Sequence, residues 1–312
     1  MNTEQMAALI AFKKFTVQHH QYKSALETLH KSIATTVLRG EPCGALLLGK
    51  PGTGKTSICN SLIAEYGKEH IRHQEESVTI IRPVIYCKIS IPATLRGTVS
   101  NMISCFDIQA PKIDMNALEQ RLHALLKTSE TSLVILDEAQ QLIQSGAAKT
   151  HKAVCDWIKV FADTHDGAFL LVGEPECETI IQHEDALAGR FPYRALLQPF
   201  DLSSQKNQQD FFNLIAAFSC EIEKTMNFLS VQPLTDEHIF LGLYILTGGN
   251  MRSLRTLLFE ALRIAFEDPK NTFGSPELSL ASYNVVSPTR LIPVNPFTIS
   301  LAELKKLIFR ST

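Results

Sequence analysis

The chain has 312 residues, of which 45% are hydrophobic and 20% are charged, and 30 Lys and Arg against 32 Asp and Glu give a formal net charge of −2. This composition excludes a disordered chain and supplies enough apolar material for one compound domain or two. The near-neutral balance excludes a generally basic nucleic-acid-binding protein, so any DNA contact must come from a local patch or from a patch repeated in an oligomer.

Residues 1–40 predict an N-terminal helical segment of two helices, because apolar residues recur at helical spacing between residues 4 and 38. Between residues 41 and 200, helix-length segments alternate with five short apolar runs, which are Cys43–Leu48, Ile80–Ile91, Ser132–Leu136, Ala168–Val172 and Ala195–Gln198. Short apolar strands alternating with helices are typical of a parallel sheet covered on both faces. The predicted fold class is therefore α/β, with a five-stranded parallel sheet.

The first apolar run leads into a glycine-rich loop, GKPGTGKT at residues 49–56, which fits G-x-x-x-x-G-K-[ST] between a strand and a helix. Small residues let backbone N–H groups surround a β-phosphate, and the helix N-terminus adds its positive end. Lys55 would reach the β- and γ-phosphates of ATP, and the Thr56 hydroxyl would ligate Mg²⁺. The candidate nucleotide-binding residues are Gly49, Pro51, Gly52, Thr53, Gly54, Lys55, Thr56, Ser57 and, on a later strand, Asp137.

The third apolar run ends in Asp137-Glu138, which places two carboxylates at the C-terminal end of a buried strand. A parallel α/β sheet presents its ligand site at this edge. Asp137 would hold Mg²⁺, partly through water, and Glu138 would activate the attacking water. The adjacent Glu138 predicts an enzyme that hydrolyses the nucleotide, rather than a protein that only holds it.

Residues 201–267 contain amphipathic helices and no strand pattern, which predicts a small helical domain. Residues 268–312 contain five prolines and little periodicity before Leu301–Phe309. This pattern predicts an extended C-terminal tail with a short terminal helix. Its apolar residues exceed what a solvated tail needs, so the tail is a possible docking segment.

The seven cysteines are scattered and form no C-x-x-C pair, which predicts buried free thiols in a reducing compartment. No run approaches the roughly 18 apolar residues of a membrane span. Lys13 and Lys14 follow the first apolar patch, the reverse of a signal peptide. We therefore expect a soluble, cytoplasmic protein with no membrane partner.

With both nucleotide motifs in place, the chain resembles the AAA+ ATPases over roughly residues 40–266. "FLLVGEPEC" is similar to their fourth strand, where a polar sensor follows; that position holds Glu174, whereas Asn or Thr is usual. "DALAGRFPYRALLQPF" is similar to the arginine-finger segment and implies Arg190, with Arg194 as the alternative. "LTGGNMRSLRTLL" is similar to the sensor of the helical lid domain and implies that Arg252 lies near the phosphates.

Within this class the chain resembles the TnsC/TniB transposition regulators, through "LDEAQQL", "LVGEPE", "AGRF", "TGGNMRSL" and the tail "NPF". The resemblance implies an ATPase that forms a ring or helical filament on double-stranded DNA with ATP and Mg²⁺. The implied partners are further copies of the chain, a target-selection protein and the transposase. DNA contacts without sequence specificity would come from basic residues after the second and third strands, namely Lys88, Arg96, Lys149 and Lys152.

Two alternatives stay open at this stage. A replication-initiator or helicase-loader ATPase would share the fold, but the sequence after residue 267 shows no recognisable winged-helix domain. A nucleotide-switch module that binds proteins and not DNA would need only the nucleotide motifs. Binding of non-specific duplex DNA separates the second alternative from the other two functions.

Overall fold

The computed structural model describes residues 1–41, 43–74, 77–144, 148–182 and 185–309. The chain forms two compact units. The sheet unit comprises Gln21–Pro51 and Lys55–Leu197. The helical unit comprises Met1–His20, Gly52–Gly54 and Gln198–Thr312.

Up to residue 197, the helices and strands in chain order are α1 (Thr3–Lys14), α2 (His20–Arg39), β1 (Ala45–Gly49), α3 (Lys55–Tyr66), β2 (His70–Gln74), β3 (Ser77–Ile81), β4 (Val84–Lys88), α4 (Leu95–Ser104), α5 (Met115–Thr128), β5 (Leu133–Asp137), α6 (Gln141–Gln144), α7 (Ala148–Thr164), β6 (Ala168–Gly173), α8 (Glu178–Gln182), α9 (Asp185–Arg190) and β7 (Tyr193–Leu197). After residue 197 follow α10 (Gln205–Thr225), β8 (Ser230–Val231), α11 (Glu237–Thr247), α12 (Met251–Glu267), β9 (Thr272–Phe273), α13 (Ser275–Asn284) and α14 (Leu301–Phe309).

The main sheet has five parallel strands in the order β4-β5-β6-β1-β7, which confirms the predicted fold class. β6 lies between β1, which leads into the glycine-rich loop, and β5, which ends in the acidic pair. The C-terminal ends of these three strands therefore meet along one edge of the sheet. Strands β1 and β5 are buried along their whole length, as expected for a parallel sheet covered on both faces.

Alternate residues of β1, β4, β5 and β6 enter two different hydrophobic cores. Leu46 and Leu48 of β1 belong to the core formed with α4, α5 and α7. Leu47 faces the other side, where α2 and α3 contribute Leu29 and Ile58. Burying such an aliphatic side chain stabilises the folded state by about 1.5–3 kcal/mol. The alternation of side chains along a strand therefore determines which of its faces packs against which helices.

The predicted strand Ile80–Ile91 is wrong in its extent, because the segment forms parts of two strands. Its first residues belong to β3, which pairs with β2 as an antiparallel hairpin outside the main sheet. The break falls at Arg82 and Pro83. Pro83 lacks an N–H for a strand ladder, and the Arg82 side chain is buried in ion pairs with Glu69 and Asp107.

The N-terminal helical segment divides between the two units. In the helical unit, Leu9 and Phe12 of α1 are buried in the same core as Phe218. The Arg255 guanidinium donates hydrogen bonds to the carbonyls of Lys13 and Phe15, at the C-terminal end of α1. These carbonyls have no partner inside the helix, so Arg255 caps α1 from outside. Helix α2 packs in the sheet unit instead.

The expectation of an extended tail beyond residue 268 is corrected by the structure. Helix α13, which was not predicted, packs against α12, and Leu278 and Ala281 are fully buried in the core of the helical unit. The predicted terminal helix is confirmed as α14, whose Leu304 is buried in the same core. Sequence "GSPE" explains α13, because Pro276 suits a first helical turn and Glu277 accepts the Gly274 N–H at 2.8 Å.

The seven cysteines are free and five of them are buried, with Cys105 partly exposed and Cys220 exposed. Across the described part of the chain, no helix is both long enough and apolar enough to cross a membrane.

Candidate active site

The glycine-rich loop connects Gly49, the last residue of β1, to Lys55, the first residue of α3. Gly52 has φ +81° and Gly54 has φ +107°, which are backbone conformations that favour glycine. In the helical unit, the Gly52 carbonyl accepts the Arg252 N–H at 3.0 Å. A β-carbon on Gly52 would lie 2.5 Å from Asn250 Oδ1, so this position also needs glycine for close packing.

The remaining predicted loop residues lie where the motif places them. Pro51 is exposed in the loop, and Thr53 is 5% exposed. Thr56 and Ser57 lie in the first turn of α3, with Thr56 exposed. The hydroxyl proposed as a Mg²⁺ ligand is therefore at the helix N-terminus.

Lys55 lies near the acidic residues that follow β5 and β6. Its Nζ donates to the Gly49 carbonyl at 2.5 Å. Burial lowers the pKa of the Lys55 ammonium below its usual value, and three carboxylates oppose that shift, those of Glu138, Asp137 and Glu174. The loop lysine and the acids therefore share one electrostatic environment, which the order β5-β6-β1 creates.

Asp137 is 3% exposed and is held by two hydrogen bonds. The Tyr86 hydroxyl of β4 donates to Oδ2 at 2.5 Å, and the Glu138 N–H donates to Oδ1 at 2.8 Å. Burial and the hydrogen bond to Asp137 raise the pKa of Tyr86, so Tyr86 keeps its proton and remains a donor. The Asp137 carboxylate is thus fixed in orientation.

Glu138 has φ +61°, a left-handed conformation that is uncommon for a non-glycine residue. One carboxylate oxygen, Oε2, accepts a hydrogen bond of 2.5 Å from Nε2 of Gln140. The other, Oε1, lies 3.8 Å from Nζ of Lys88, the last residue of β4. Lys88 was predicted as a DNA contact, and the structure places its ammonium beside the predicted catalytic carboxylate.

Glu174 follows β6 and faces the same cluster. Its N–H donates to Gln140 Oε1 at 3.2 Å, and its carboxylate Oε1 lies 3.4 Å from Gln140 Nε2. The sequence patterns do not single out Gln140 or Tyr86 as site residues. Strand alternation could have placed Tyr86 on the same face of β4 as Lys88, but the sequence contains no signal for the Gln140 contacts.

The two candidate finger arginines both form ion pairs within the sheet unit. Arg190 ends α9 and makes a two-pronged pair with Asp163 of α7, at 2.5 Å and 2.8 Å. Arg194 of β7 pairs with Glu178 of α8 at 2.6 Å. Both are partly exposed, with side chains 30% and 34% accessible. Arg252 is exposed in the first turn of α12.

The other candidate DNA-binding residues lie at separate places on the sheet unit. Arg96 is exposed near the start of α4 and donates to the Ile113 carbonyl. Lys152 is exposed on α7. The side chain of Lys149 lies outside the described residues.

Mg²⁺ bound with a nucleotide takes one or two oxygen ligands from the protein, and phosphates and water supply the others. The hydroxyl of Thr56 and the buried carboxylate of Asp137 are oxygen donors of this kind, and they fit such an ion. Within the described ranges, no group of three or more His, Cys, Asp or Glu is arranged to hold a metal alone.

Comparisons with known proteins bear on the fold and the family of this chain. No curated protein matches the sequence. Among solved structures, Cdc6p from Pyrobaculum aerophilum is 15% identical with a TM-score of 0.61, covering 86% of this chain and 67% of that one. Aeropyrum pernix ORC2, in ADPNP–ADP complexes, is 15% identical with a TM-score of 0.62, covering 85% and 67%. Aeropyrum pernix ORC1, in complex with DNA, is 17% identical with a TM-score of 0.62, covering 90% and 69%.

These likenesses show the fold, an α/β P-loop NTPase of the AAA+ class with a helical domain. The sequence model of the bacterial TniB protein family matches residues 8–199, which is more than half of the chain. That match includes the glycine-rich loop, the acidic pair, Glu174 and both candidate finger arginines. The protein belongs to the TniB family.

Proposed function

We propose that the protein is an ATP-dependent regulator of DNA transposition, which assembles as a ring or filament on double-stranded DNA. The observation that carries this proposal is the shared environment of Lys55, Asp137 and Glu138 in a member of the TniB family. A phosphate-binding lysine beside an acidic pair is the arrangement that ATP hydrolysis requires.

In the proposed reaction each residue has a separate role. Lys55 binds the β- and γ-phosphates, and Glu138 orients and activates the attacking water. Thr56 and Asp137 would hold Mg²⁺, which would supply positive charge to neutralise the phosphates. Tyr86 keeps the Asp137 carboxylate in place through the 2.5 Å hydrogen bond.

Assembly would depend on an arginine that reaches ATP bound in a neighbouring copy, with Arg190 as the first candidate and Arg194 as the second. Both now pair with carboxylates of their own chain. A phosphate offers an arginine the same two-pronged hydrogen bonding as a carboxylate, so either arginine can exchange its carboxylate partner for a phosphate. Arg252 would contact the phosphates of its own subunit.

DNA contacts would come from Lys88, Arg96, Lys149 and Lys152. One or two phosphate contacts per subunit give strong, salt-dependent binding when an assembly repeats them. Aeropyrum pernix ORC1, to which this chain is similar in fold, was solved in complex with DNA, which supports this part of the proposal. Lys88 also faces Glu138, so a phosphate that attracts Lys88 would act on the hydrolysis site as well.

The transposase and a target-selection protein are the proposed partners. The C-terminal segment keeps a docking role in this proposal, through apolar side chains that it exposes while the rest of the segment packs on its own unit. Leu280 is 55% exposed, Tyr283 65% and Val286 80%.

A replication-initiator or helicase-loader function is the second candidate, because the solved structures named above are Cdc6 and ORC proteins. The match to the TniB family over residues 8–199 favours transposition over this candidate. A protein-binding switch that ignores DNA is the third candidate, and no contact among the described residues favours it.

Fluorescence anisotropy with a labelled duplex of arbitrary sequence tests the proposal. The Glu138→Gln variant, which should retain ATP, is expected to bind the duplex tightly with ATP and weakly without it. Lys55→Ala is the matched control and should bind weakly in both cases. Equal binding of Glu138→Gln with and without ATP would contradict the proposal, and no binding at all would favour the switch.

A further inference from the structure

Gln140 lies between two carboxylates at the C-terminal edge of the sheet and is only 1% exposed. Its Nε2 lies 2.5 Å from Glu138 Oε2 and 3.4 Å from Glu174 Oε1. An amide NH₂ group carries two hydrogens and can therefore donate to both carboxylates at once. Gln140 is thus a neutral side chain that connects the residues following β5 and β6.

Two further contacts fix which way the Gln140 amide points. Its Oε1 faces the Glu174 backbone N–H at 3.2 Å and the Cys177 thiol at 3.8 Å. A backbone N–H can only donate, so the atom opposite it is the amide oxygen and Nε2 must face the carboxylates. Gly173 leaves the space for this arrangement, because a β-carbon there would lie 2.6 Å from Gln140 Oε1.

The Gln140 amide is a hydrogen-bond donor shared by two negatively charged side chains, Glu138 and Glu174. Glu138 and Glu174 both interact with the Lys55 ammonium, and Lys88 approaches Glu138 from β4. Two carboxylates in one site repel each other, and a donor between them reduces that repulsion without adding charge.

We propose that Gln140 is a positioning residue for ATP hydrolysis. Its amide holds the Glu138 carboxylate in the orientation that activates water. This inference rests on the proposed role of Glu138 in hydrolysis. Because Gln140 acts through Glu138, its loss should reduce turnover and leave nucleotide binding intact.

The test replaces Gln140 by methionine, which keeps the length of the side chain and removes both donors. The kcat for ATP should fall by about 10-fold to 100-fold, the effect expected when a hydrogen bond to a charged group is lost. The Kd for a fluorescent ATP analogue should stay at the wild-type value. Gln182→Met, the same change at an exposed position of α8, should alter neither quantity.

A double-mutant comparison separates a positioning role from a structural one. In the Glu138→Gln background, adding Gln140→Met should cause no further loss of kcat, because the amide acts only through the Glu138 carboxylate. Gln140→Glu keeps the shape and replaces the donor by an acceptor, so its kcat should fall at least as far. If Gln140→Met does not fold, Gln140→Glu takes its place in the double-mutant comparison.

Wild-type kcat in both Gln140 variants would overturn the inference, and so would a loss of nucleotide affinity equal to the loss of kcat. Unfolding of both variants would show that the amide is structural and would overturn it too. If Glu138→Gln hydrolysed ATP like the wild type, the proposed catalytic role of Glu138 would fail, and the inference with it. If Glu138→Gln were inactive and both Gln140 variants were fully active, the inference about Gln140 would fail, but the proposed role of Glu138 would stand.

Discussion

At the scale of single residues, Glu138 combines an unfavourable backbone conformation with a dense set of contacts. A non-glycine residue with φ near +60° costs about 1–3 kcal/mol and persists only where its surroundings enforce it. Here the Glu138 N–H donates to Asp137 Oδ1, its carbonyl accepts the Gln141 N–H at 3.0 Å, and its carboxylate meets Gln140. The strain thus falls on the residue to which we assign water activation.

Lys55→Ala and Glu138→Gln are expected to separate nucleotide binding from hydrolysis. Losing the charged hydrogen bonds of Lys55 to two phosphates should raise the Kd for ATP by about 100-fold or more. Glu138→Gln should leave this Kd unchanged and lower kcat by about 10²-fold to 10⁴-fold, as expected for loss of a general base. Equal ATP affinity of wild type and Lys55→Ala would contradict the assignment.

The sequence predicts some of these residues and not others, for a physical reason. Lys55 and Asp137 follow from local patterns, since each requires only a strand, a turn and the neighbouring residues. Tyr86 contacts Asp137 because β4 lies beside β5, and Gln140 contacts Glu174 because β5 lies beside β6. One sequence does not contain the order of the strands in the sheet.

At the scale of elements, the largest difference from the sequence prediction is the C-terminal segment. Its prolines favoured an extended tail, yet Pro276 lies in the first turn of α13, where a missing N–H costs nothing. Leu278 and Leu304 complete the core of the helical unit. Proline content alone therefore did not distinguish a helix start from a chain without a helix.

Leu278→Ala is expected to destabilise the protein by about 2–5 kcal/mol, because it leaves a cavity in a fully buried site. Leu280→Ala, two residues away on the same helix but 55% exposed, should change stability by less than about 0.5 kcal/mol. Urea unfolding of both variants measures the difference. Equal midpoints would show that α13 is not part of the core.

The exposed side of the same segment carries the proposed transposase contact. Replacing Leu280 and Tyr283 by serine should reduce capture of the transposase in a pull-down while the unfolding midpoint stays at the wild-type value. Both side chains are exposed, so the change removes apolar surface without opening a cavity. Undiminished capture would remove the docking role from this face.

At the scale of the whole molecule, the proposed function requires several copies of the chain to assemble. Arg190→Ala should fold and bind ATP but lose ATP-dependent oligomerisation, because the neighbouring ATP would lack its arginine. Arg263→Ala is the matched control, since Arg263 also forms a two-pronged pair with a carboxylate of its own chain, Glu260. Unchanged size-exclusion profiles for Arg190→Ala would direct the same test to Arg194.

The central claim is that ATP and DNA together build the functional assembly, and sedimentation velocity of Glu138→Gln with a long duplex tests it most directly. We predict large complexes only when ATP and duplex are both present, with slower sedimentation when either is omitted and when salt is raised. Lys55→Ala should form no large complex under any of these conditions. Sedimentation of Glu138→Gln as a monomer with ATP and duplex present would contradict the account.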